Sequence, residues 1–289
     1  MLQPTELFYC KNKDIYPPFK NGLYLEEYFI QRYFKENPKT NRKYIPLPWT
    51  NFQLEPWFEK YKFYLQKQLD EWIVNNPCDE GYFTVVQYDD GPQLKLPDNT
   101  TIFGACSGNI PIPLIYEDNN NLLESKKINN KFNDKNILCS FVGTNTHIKV
   151  RGNMINTFKT NNQFVLSITD SWTPIVDINK QDNYIHISNK SKFGLAPRGY
   201  GKNSFRFYEL FKLGVIPIYV WDDIEWLPYK EIIDYTKFCI SINIKDINDL
   251  PNILQSIDED KYYKMWDEYE KIKKYFTLDG MYNYIISKV

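Results

Sequence analysis

The sequence predicts an α/β fold with a parallel sheet, and the pattern of its second half supports this class. Apolar segments of strand length alternate with helical segments from residue 137 onward. Within this alternation, residues 193–223 form one clear unit: a strand, a glycine-containing turn, a helix, and a second strand after Gly214. The second strand, 215–220, is continuously apolar, which is typical of strands buried in parallel sheets.

The polar segment 117–136, rich in Asn and Lys, predicts a boundary between two domains. We place the domains at 1–125 and 126–289. The first half mixes strands and helices less regularly, so we expect it to be the smaller and more degenerate of the two.

The spacing of apolar residues places the elements. In the first half it predicts helices over 23–36 and 56–74 and strands over 82–87, 101–105 and 110–116. In the second half it predicts further strands over 137–142, 164–168 and 238–242 and helices over 149–158, 247–254 and 278–286. A polar helix is expected from Pro228. The sequence Ser256-Ile257-Asp258-Glu259 predicts a capping box that begins a long amphipathic helix.

The turn that follows the strand at 193–197 has chemistry that suits a phosphate. Gly199 and Gly201 are expected to adopt backbone angles closed to other residues and to let a ligand approach the main chain. Asn203 or Ser204 can cap the next helix, whose amides attract anions. The turn therefore predicts an anion site at the carboxyl end of a strand, where open α/β sheets bind ligands.

Three charged residues extend this prediction. Arg198 lies in the turn, Arg206 lies in the first turn of the helix, and Glu209 follows Arg206 at i+3 on the same face. Two cations beside a helix N-terminus suit a diphosphate, and a carboxylate one turn deeper suits a sugar diol. The pattern thus indicates a nucleotide-sugar pocket. The same spacing also fits a solvated ion pair between Arg206 and Glu209.

Two standard nucleotide motifs nearly match this stretch, and both fail. In the G-x-G-x-x-G pattern of dinucleotide sites, Ser204 takes the place of the last glycine. In a P-loop, Ala196 stands where the first glycine is required, and Asn203 stands where Ser or Thr should follow Lys202. An ATPase and a standard dinucleotide site are therefore both disfavoured.

Two other predicted strands end in polar residues. The strand 82–87 runs into Asp89 and Asp90, a candidate active-site edge, although the Asp-Gly-Pro sequence is also ordinary turn chemistry. The strand 137–142 is followed by polar and basic side chains that could reach a cleft between the domains: Thr144, Thr146, His147 and Arg151.

Composition excludes several functional classes. The chain has 35 basic and 36 acidic residues and no basic tract, so a nucleic-acid partner is not expected. No apolar run reaches the roughly 18 residues that span a bilayer, and the first residues lack the features of a signal peptide. Five scattered cysteines favour a reducing compartment, and we expect a cytoplasmic protein. With only two histidines, a His-rich metal site is excluded.

The pattern P-R-G-x-G-x-x-S-F-R-x-x-E, followed by G-x-I-P-I, resembles the signature of the exostosin family of glycosyltransferases. The chain carries it as Pro197, Arg198, Gly199, Gly201, Ser204, Phe205, Arg206, Glu209, Gly214, Ile216, Pro217 and Ile218. The resemblance is specific over 193–228 and looser from about 137 to 241. It is strongest to the short exostosin-like proteins of large DNA viruses, which lack a membrane anchor, so the expected location is the cytoplasm, and that of the host if the protein is viral.

This resemblance implies a GT-B fold, with two Rossmann-like domains facing across a cleft and C-terminal helices that cross back to the first domain. It also implies an inverting enzyme that transfers a sugar, with a pentose such as xylose among the candidates, from a UDP-sugar to a glycan hydroxyl without an obligatory metal. Residues 198–209 of the signature would bind the donor, with Arg206 on the diphosphate, Glu209 on the ribose and Arg198 supporting the turn. For the general base we expect Asp89 or Asp90, with His147 in reserve.

Two rival interpretations remain. An exostosin-like domain without a working base would be an inactive glycan-binding or partner subunit. A Rossmann oxidoreductase would need an acidic residue about 20 residues after the motif, near Asp222 and Asp223, and the missing last glycine disfavours it.

Overall fold

The computed structural model describes residues 23–118, 121–169, 171 and 177–289. The chain divides into two compact units. The first comprises residues up to Glu117 together with Thr277–Val289, and the second comprises Asp118–Phe276.

The first unit contains a four-stranded, entirely parallel sheet in the order β1-β2-β3-β4. Its strands are β1 (Lys43–Tyr44), β2 (Tyr82–Val86), β3 (Thr100–Gly104) and β4 (Ile110–Pro111). Its first helices are α1 (Leu25–Glu36), α2 (Trp49–Gln53) and α3 (Phe58–Asn75). All five residues of β2 are buried, as expected for a central parallel strand covered on both faces.

The second unit contains a five-stranded parallel sheet in the order β6-β5-β7-β8-β9. Its strands are β5 (Ile137–Thr144), β6 (Phe164–Thr169), β7 (Ser191–Pro197), β8 (Ile216–Trp221) and β9 (Ile240–Asn243). Its helices are α4 (Leu122–Ser125), α5 (Asn153–Phe158), α6 (Ile178–Asn189), α7 (Phe205–Lys212), α8 (Leu250–Gln255) and α9 (Glu259–Ile272). A π-helical turn, Ile148–Gly152, precedes α5, and 3₁₀ turns lie at Phe132–Asp134, Tyr235–Lys237, Ile244–Asp249 and Lys273–Phe276. The predicted α/β class with parallel sheets is confirmed.

The last helix, α10 (Leu278–Lys288), belongs to the first unit and packs on α1. The ring of Tyr282 lies 5.1 Å from that of Phe29, and Arg32 Nη1 donates to Asp279 Oδ1 at 2.5 Å. None of the helices in the described residues combines the length and apolar character needed to cross a membrane.

The central β7-α7-β8 unit forms as predicted. Its two strands pair in parallel, with Phe193 opposite Ile216. Gly214 adopts a φ of +73°, a left-handed angle that favours glycine, and the turn it makes lets Val215 N–H donate to Leu210 O at 2.9 Å. The helix is therefore stopped where the sequence indicated, and the chain enters β8 directly.

The predicted helix from Pro228 is wrong. Residues 228–234 form turns, and only the 3₁₀ turn Tyr235–Lys237 follows before β9. Tyr229 adopts a φ of +61°, which no right-handed helix accommodates, and its ring is buried. Burial of this aromatic ring therefore outweighs the local helical tendency.

The predicted capping box at Ser256 is also wrong, although the long helix predicted to follow it does form. Asp258 is the cap of α9, because its Oδ1 accepts from Lys261 N–H at 2.8 Å. Ser256 instead donates to Ile253 O at 2.7 Å, at the end of α8. Helix α6 was missed, because its sequence is mostly polar and its buried residues include Ser188 and Asn189.

Candidate functional site

The order of the second sheet creates a candidate binding edge between β5 and β7. From β5 the chain moves to β6 on one side, and then returns to β7 on the other side. At such a reversal the connections leave a crevice outside the carboxyl ends of the two strands, where open α/β sheets bind ligands. Residues 145–152 follow β5 and residues 198–204 follow β7, so both predicted turns meet at this edge.

Arg151 joins these two strand ends. Its Nε donates to Arg198 O at 3.1 Å, while its Nη1 donates to the carbonyl and hydroxyl oxygens of Thr144, each at 3.1 Å. A guanidinium offers several donors in a fixed plane, which lets one side chain hold both segments. Arg151 therefore fixes the turn after β7 relative to β5.

Arg198 is buried and paired with carboxylates. Its Nη1 lies 2.8 Å from Asp222 Oδ1 and 2.6 Å from Asp223 Oδ1, and its Nη2 donates to Tyr200 O at 3.0 Å. Lys149, from the loop after β5, adds a contact of 2.8 Å to Asp222 Oδ2. Arg198 thus links the turn after β7 to the aspartates at the carboxyl end of β8.

The pKa of Asp222 reflects this network. Burial by itself would raise the pKa, but hydrogen bonds from Lys149 and from the backbone N–H of Asp223 and the charge of Arg198 outweigh burial and hold it well below the ordinary value. Asp222 is therefore an anion at neutral pH, and it links the segments that follow β5, β7 and β8.

The two glycines of the turn do not use the backbone freedom predicted for them, and a close approach of a ligand to the main chain stays a prediction. Neither Gly199 nor Gly201 adopts a positive φ. At Gly199 the constraint is space, because a Cβ there would lie 3.2 Å from Arg151 Nη2. A side chain at this position would press on the arginine that holds the turn.

Helix α7 begins immediately after the turn. Ser204 is its cap, with Oγ accepting from Arg206 N–H at 3.3 Å, while Asn203 Oδ1 accepts from Ser204 N–H at 2.8 Å. Tyr219 donates to Lys202 O at 2.5 Å, which ties the turn to β8. Phe205 is the first residue of the helix and is partly buried.

Arg206 and Glu209 share one face of α7, as predicted. Arg206 Nη1 lies 2.5 Å from Glu209 Oε2, and their side chains are 26% and 5% exposed. The pair is therefore partly buried and is not the fully solvated ion pair of the alternative interpretation. The guanidinium also lies over the ring of Tyr184 on α6, with Cζ 3.6 Å from the ring centroid.

The residues predicted as candidate bases lie in turns that follow strands. Asp89 and Asp90 follow β2 in the first unit, within a turn in which Gly91 N–H donates to Tyr88 O at 3.0 Å. His147 follows β5, and its Nδ1 accepts from Val150 N–H at 3.3 Å, which caps the π-helical turn. Burial and the charge of Arg198 lower the pKa of His147, which favours the neutral imidazole.

Sequence reasoning missed Tyr184 and Lys149 as members of this site. Tyr184 lies on α6, which was not predicted because its sequence is mostly polar. Lys149 belongs to no sequence motif that would have marked it as a site residue. Among the described residues, no three His, Cys, Asp or Glu side chains come together in a way that could hold a metal ion.

Comparison with known proteins identifies a family. The model of the exostosin GT47 domain matches residues 104–257, more than half of the chain. A protein named as a probable glycosyltransferase from Arabidopsis thaliana is 25% identical over 140 residues, which cover 48% of this chain and 28% of that protein. An exostosin-1 homolog from Caenorhabditis elegans is 32% identical over 104 residues, 36% of this chain and 27% of its own length.

The matched regions thus span less than a third of either relative. Among solved structures, the likeness to a GtfA/B complex is weak, with a TM-score of 0.37 and 9% identity over 79% of this chain and 48% of that one. The family model includes the turn after β7, the Arg206–Glu209 pair and the aspartates that hold Arg198. The chain belongs to the exostosin GT47 family.

Proposed function

We propose that this protein is an inverting glycosyltransferase that moves a sugar from a UDP-sugar to a glycan hydroxyl without a metal ion. One observation carries the proposal: a partly buried Arg206–Glu209 pair directly follows a braced turn at the edge where parallel sheets bind ligands. The names of the matched relatives favour the coarser part of this proposal, glycosyl transfer by an exostosin-like protein. We assign the two parallel α/β units to the GT-B class.

Arg206 would bind the donor diphosphate. The Arg206 side chain is about a quarter exposed and lies in the first turn of α7, and its guanidinium offers several donors suited to phosphate oxygens. Glu209 would accept from ribose hydroxyls, since a carboxylate oxygen can accept more than one hydrogen bond. Arg198 would act indirectly, because Asp222 and Asp223 already neutralise its charge.

Transfer leaves negative charge on UDP. In an inverting reaction, the acceptor oxygen attacks the anomeric carbon as the bond to the diphosphate breaks. Fixed donors aimed at the leaving group lower the barrier, and losing one costs about 10²–10³ in rate. Arg206 and the amides at the start of α7 would supply these donors, in place of a metal.

A general base must take the acceptor proton. Asp89 and Asp90 are the carboxylates that we propose for this step. His147 is less suited, because Nδ1 already accepts a hydrogen bond and Nε2 then carries the proton in the neutral ring. If neither aspartate acts, the chain would be an inactive, glycan-binding member of the family.

The first experiment is a thermal-shift panel with UDP, UDP-sugars, GDP- and dTDP-sugars and NAD(H), with and without EDTA. A ligand at about 100 times its Kd should add about 2.7 kcal/mol to the stability. We expect a shift with UDP and with one UDP-sugar that EDTA leaves unchanged. A shift with NAD(H) alone, or none with any nucleotide, would contradict the proposal.

The second experiment tests transfer. The UDP-sugar that shifts the melting temperature is incubated with glycan acceptors, and the anomeric configuration of the product is read by NMR. Inverted product from the wild type, lost in D89N or D90N, would support the base assignment. Donor binding without transfer to any acceptor would favour the inactive subunit.

A further inference from the structure

Tyr184 covers one face of the Arg206 guanidinium. The tyrosine lies on α6, the crossover helix that precedes β7, and is only 4% exposed. Arg206 Cζ is 3.6 Å from the centroid of its ring, a stacking distance at which the ring quadrupole attracts a cation. Two helices that are separate in sequence therefore meet at this contact.

The ring and the carboxylate together fix the cation in two directions. Glu209 Oε2 holds Nη1 from the side at 2.5 Å, while Tyr184 supports the plane from beneath. A free arginine side chain has large rotamer entropy, and a ligand that must order it binds more weakly. With 26% of the side chain exposed, Arg206 is held in place and still accessible to an anion.

The ring remains a neutral phenol across the working range of pH. Burial raises the pKa of Tyr184 well above its ordinary value, so no phenolate forms beside Arg206. The interaction is therefore that of a cation with an uncharged aromatic face, which a phenylalanine can also provide.

We propose that Tyr184 is a positioning residue that orients Arg206 toward the donor diphosphate and so sets the affinity for UDP. This inference rests on the proposed function, since it needs Arg206 to bind the diphosphate. A cation–π contact at a partly desolvated site corresponds to roughly a three- to thirtyfold change in Kd.

The test measures the Kd of UDP and of UMP by calorimetry for the wild type, Y184L, Y184F and I185A. Y184L removes the ring, and Y184F keeps it. Ile185 is the next residue on α6 and is 5% exposed, so I185A controls for loss of packing in the same helix. Unfolding of each variant is measured in parallel.

We expect Y184L to weaken UDP binding three- to thirtyfold and to change UMP binding less than twofold, because UMP lacks the second phosphate. Y184F should bind UDP within twofold of the wild type, and I185A should lose stability without losing the preference for UDP. A structural role alone would weaken UDP and UMP equally.

Three results would overturn the inference while leaving the proposed function intact: wild-type UDP binding in Y184L, equal losses for UDP and UMP in Y184L, or a loss in Y184F as large as in Y184L. Failure of the wild type to prefer UDP over UMP would instead refute the diphosphate role of Arg206 itself.

Discussion

Arg151 donates from Nε to the carbonyl oxygen of Arg198 at 3.1 Å, so one side chain from the loop after β5 holds the turn after β7. The same guanidinium donates to Thr144 at the end of β5. The shape of the turn after β7 is therefore set by contacts from the segment after β5 as well as by its own residues.

Replacing Arg151 with lysine should loosen this turn. A lysine cannot reproduce the planar set of donors, so R151K should lose at least two hydrogen bonds, about 1–3 kcal/mol of stability, and about tenfold in UDP affinity. Chemical unfolding and calorimetry measure the two effects.

The matched control is R42K. Arg42 Nη1 also donates to backbone carbonyls, those of Asn99 at 2.9 Å and Tyr82 at 3.5 Å, but in the first unit. R42K should lose stability and keep wild-type UDP affinity. Unchanged UDP binding in R151K would show that the bridge does not shape the site.

Substitutions of Asp222 and Asp223 should have very different effects on stability, although the two residues are adjacent. The side chain of Asp222 is 6% exposed and contacts both Arg198 and Lys149, whereas that of Asp223 is 49% exposed. Losing one partner of a buried ion pair is costly, so D222N should lower the free energy of unfolding by about 2–4 kcal/mol. D223N should lower it by about 1 kcal/mol or less.

The effect of D222N should also depend on pH. The pKa of Asp222 is lowered in the folded protein, so its stabilisation is complete above the ordinary value of 3.8 and is lost as the pH falls toward the folded value. The difference between wild type and D222N should be constant from pH 5 to 7 and shrink below about pH 4. A difference that grows in acid would refute this account.

The contribution of Glu26 to stability should have the opposite pH dependence to that of Asp222. This fully buried carboxyl accepts from Thr50 N–H and Oγ1, each at 2.8 Å, and from Gln87 N–H at 2.5 Å. Burial raises its pKa from 4.5 to about 7. Its contribution is therefore fully present below pH 4.5 and is lost as the pH rises toward 7.

Urea unfolding between pH 4.5 and 7.5 tests this. The free energy of unfolding of the wild type should fall by on the order of 3 kcal/mol as the pH rises across that range, and that of E26Q should vary less with pH. The control is E59Q, since Glu59 is exposed on α3, and it should follow the wild type. A wild-type profile in E26Q would assign the pH dependence to other groups.

The elements that were predicted correctly from sequence are those that a local pattern of residues is sufficient to identify. The strands β5 to β8 are short apolar runs between polar turns, and the cap at Ser204 and the stop at Gly214 limit α7. The Arg206–Glu209 pair followed from helical spacing alone. These features are local, so tertiary contacts did not alter them.

The features that sequence missed depend on contacts distant in the chain. Tyr229 leaves helical geometry because its ring is buried, and α6 is stabilised by packing rather than by an apolar stripe. The crowding at Gly199 comes from Arg151, 48 positions earlier. The stacking of Arg206 on Tyr184 likewise joins two helices whose pairing no local pattern reveals.

The central claim is that Arg206 binds a diphosphate, and the most direct test is the ratio of the Kd values for UMP and UDP in the wild type, R206A and K273A. Lys273 forms an i,i+3 pair with Glu270 at 2.6 Å near the end of α9, so K273A removes an ion pair of the same spacing, but an exposed one, elsewhere. The wild type and K273A should bind UDP at least tenfold more tightly than UMP. R206A should bind both with similar, weaker affinity. An R206A protein that keeps the full preference for UDP would contradict the claim.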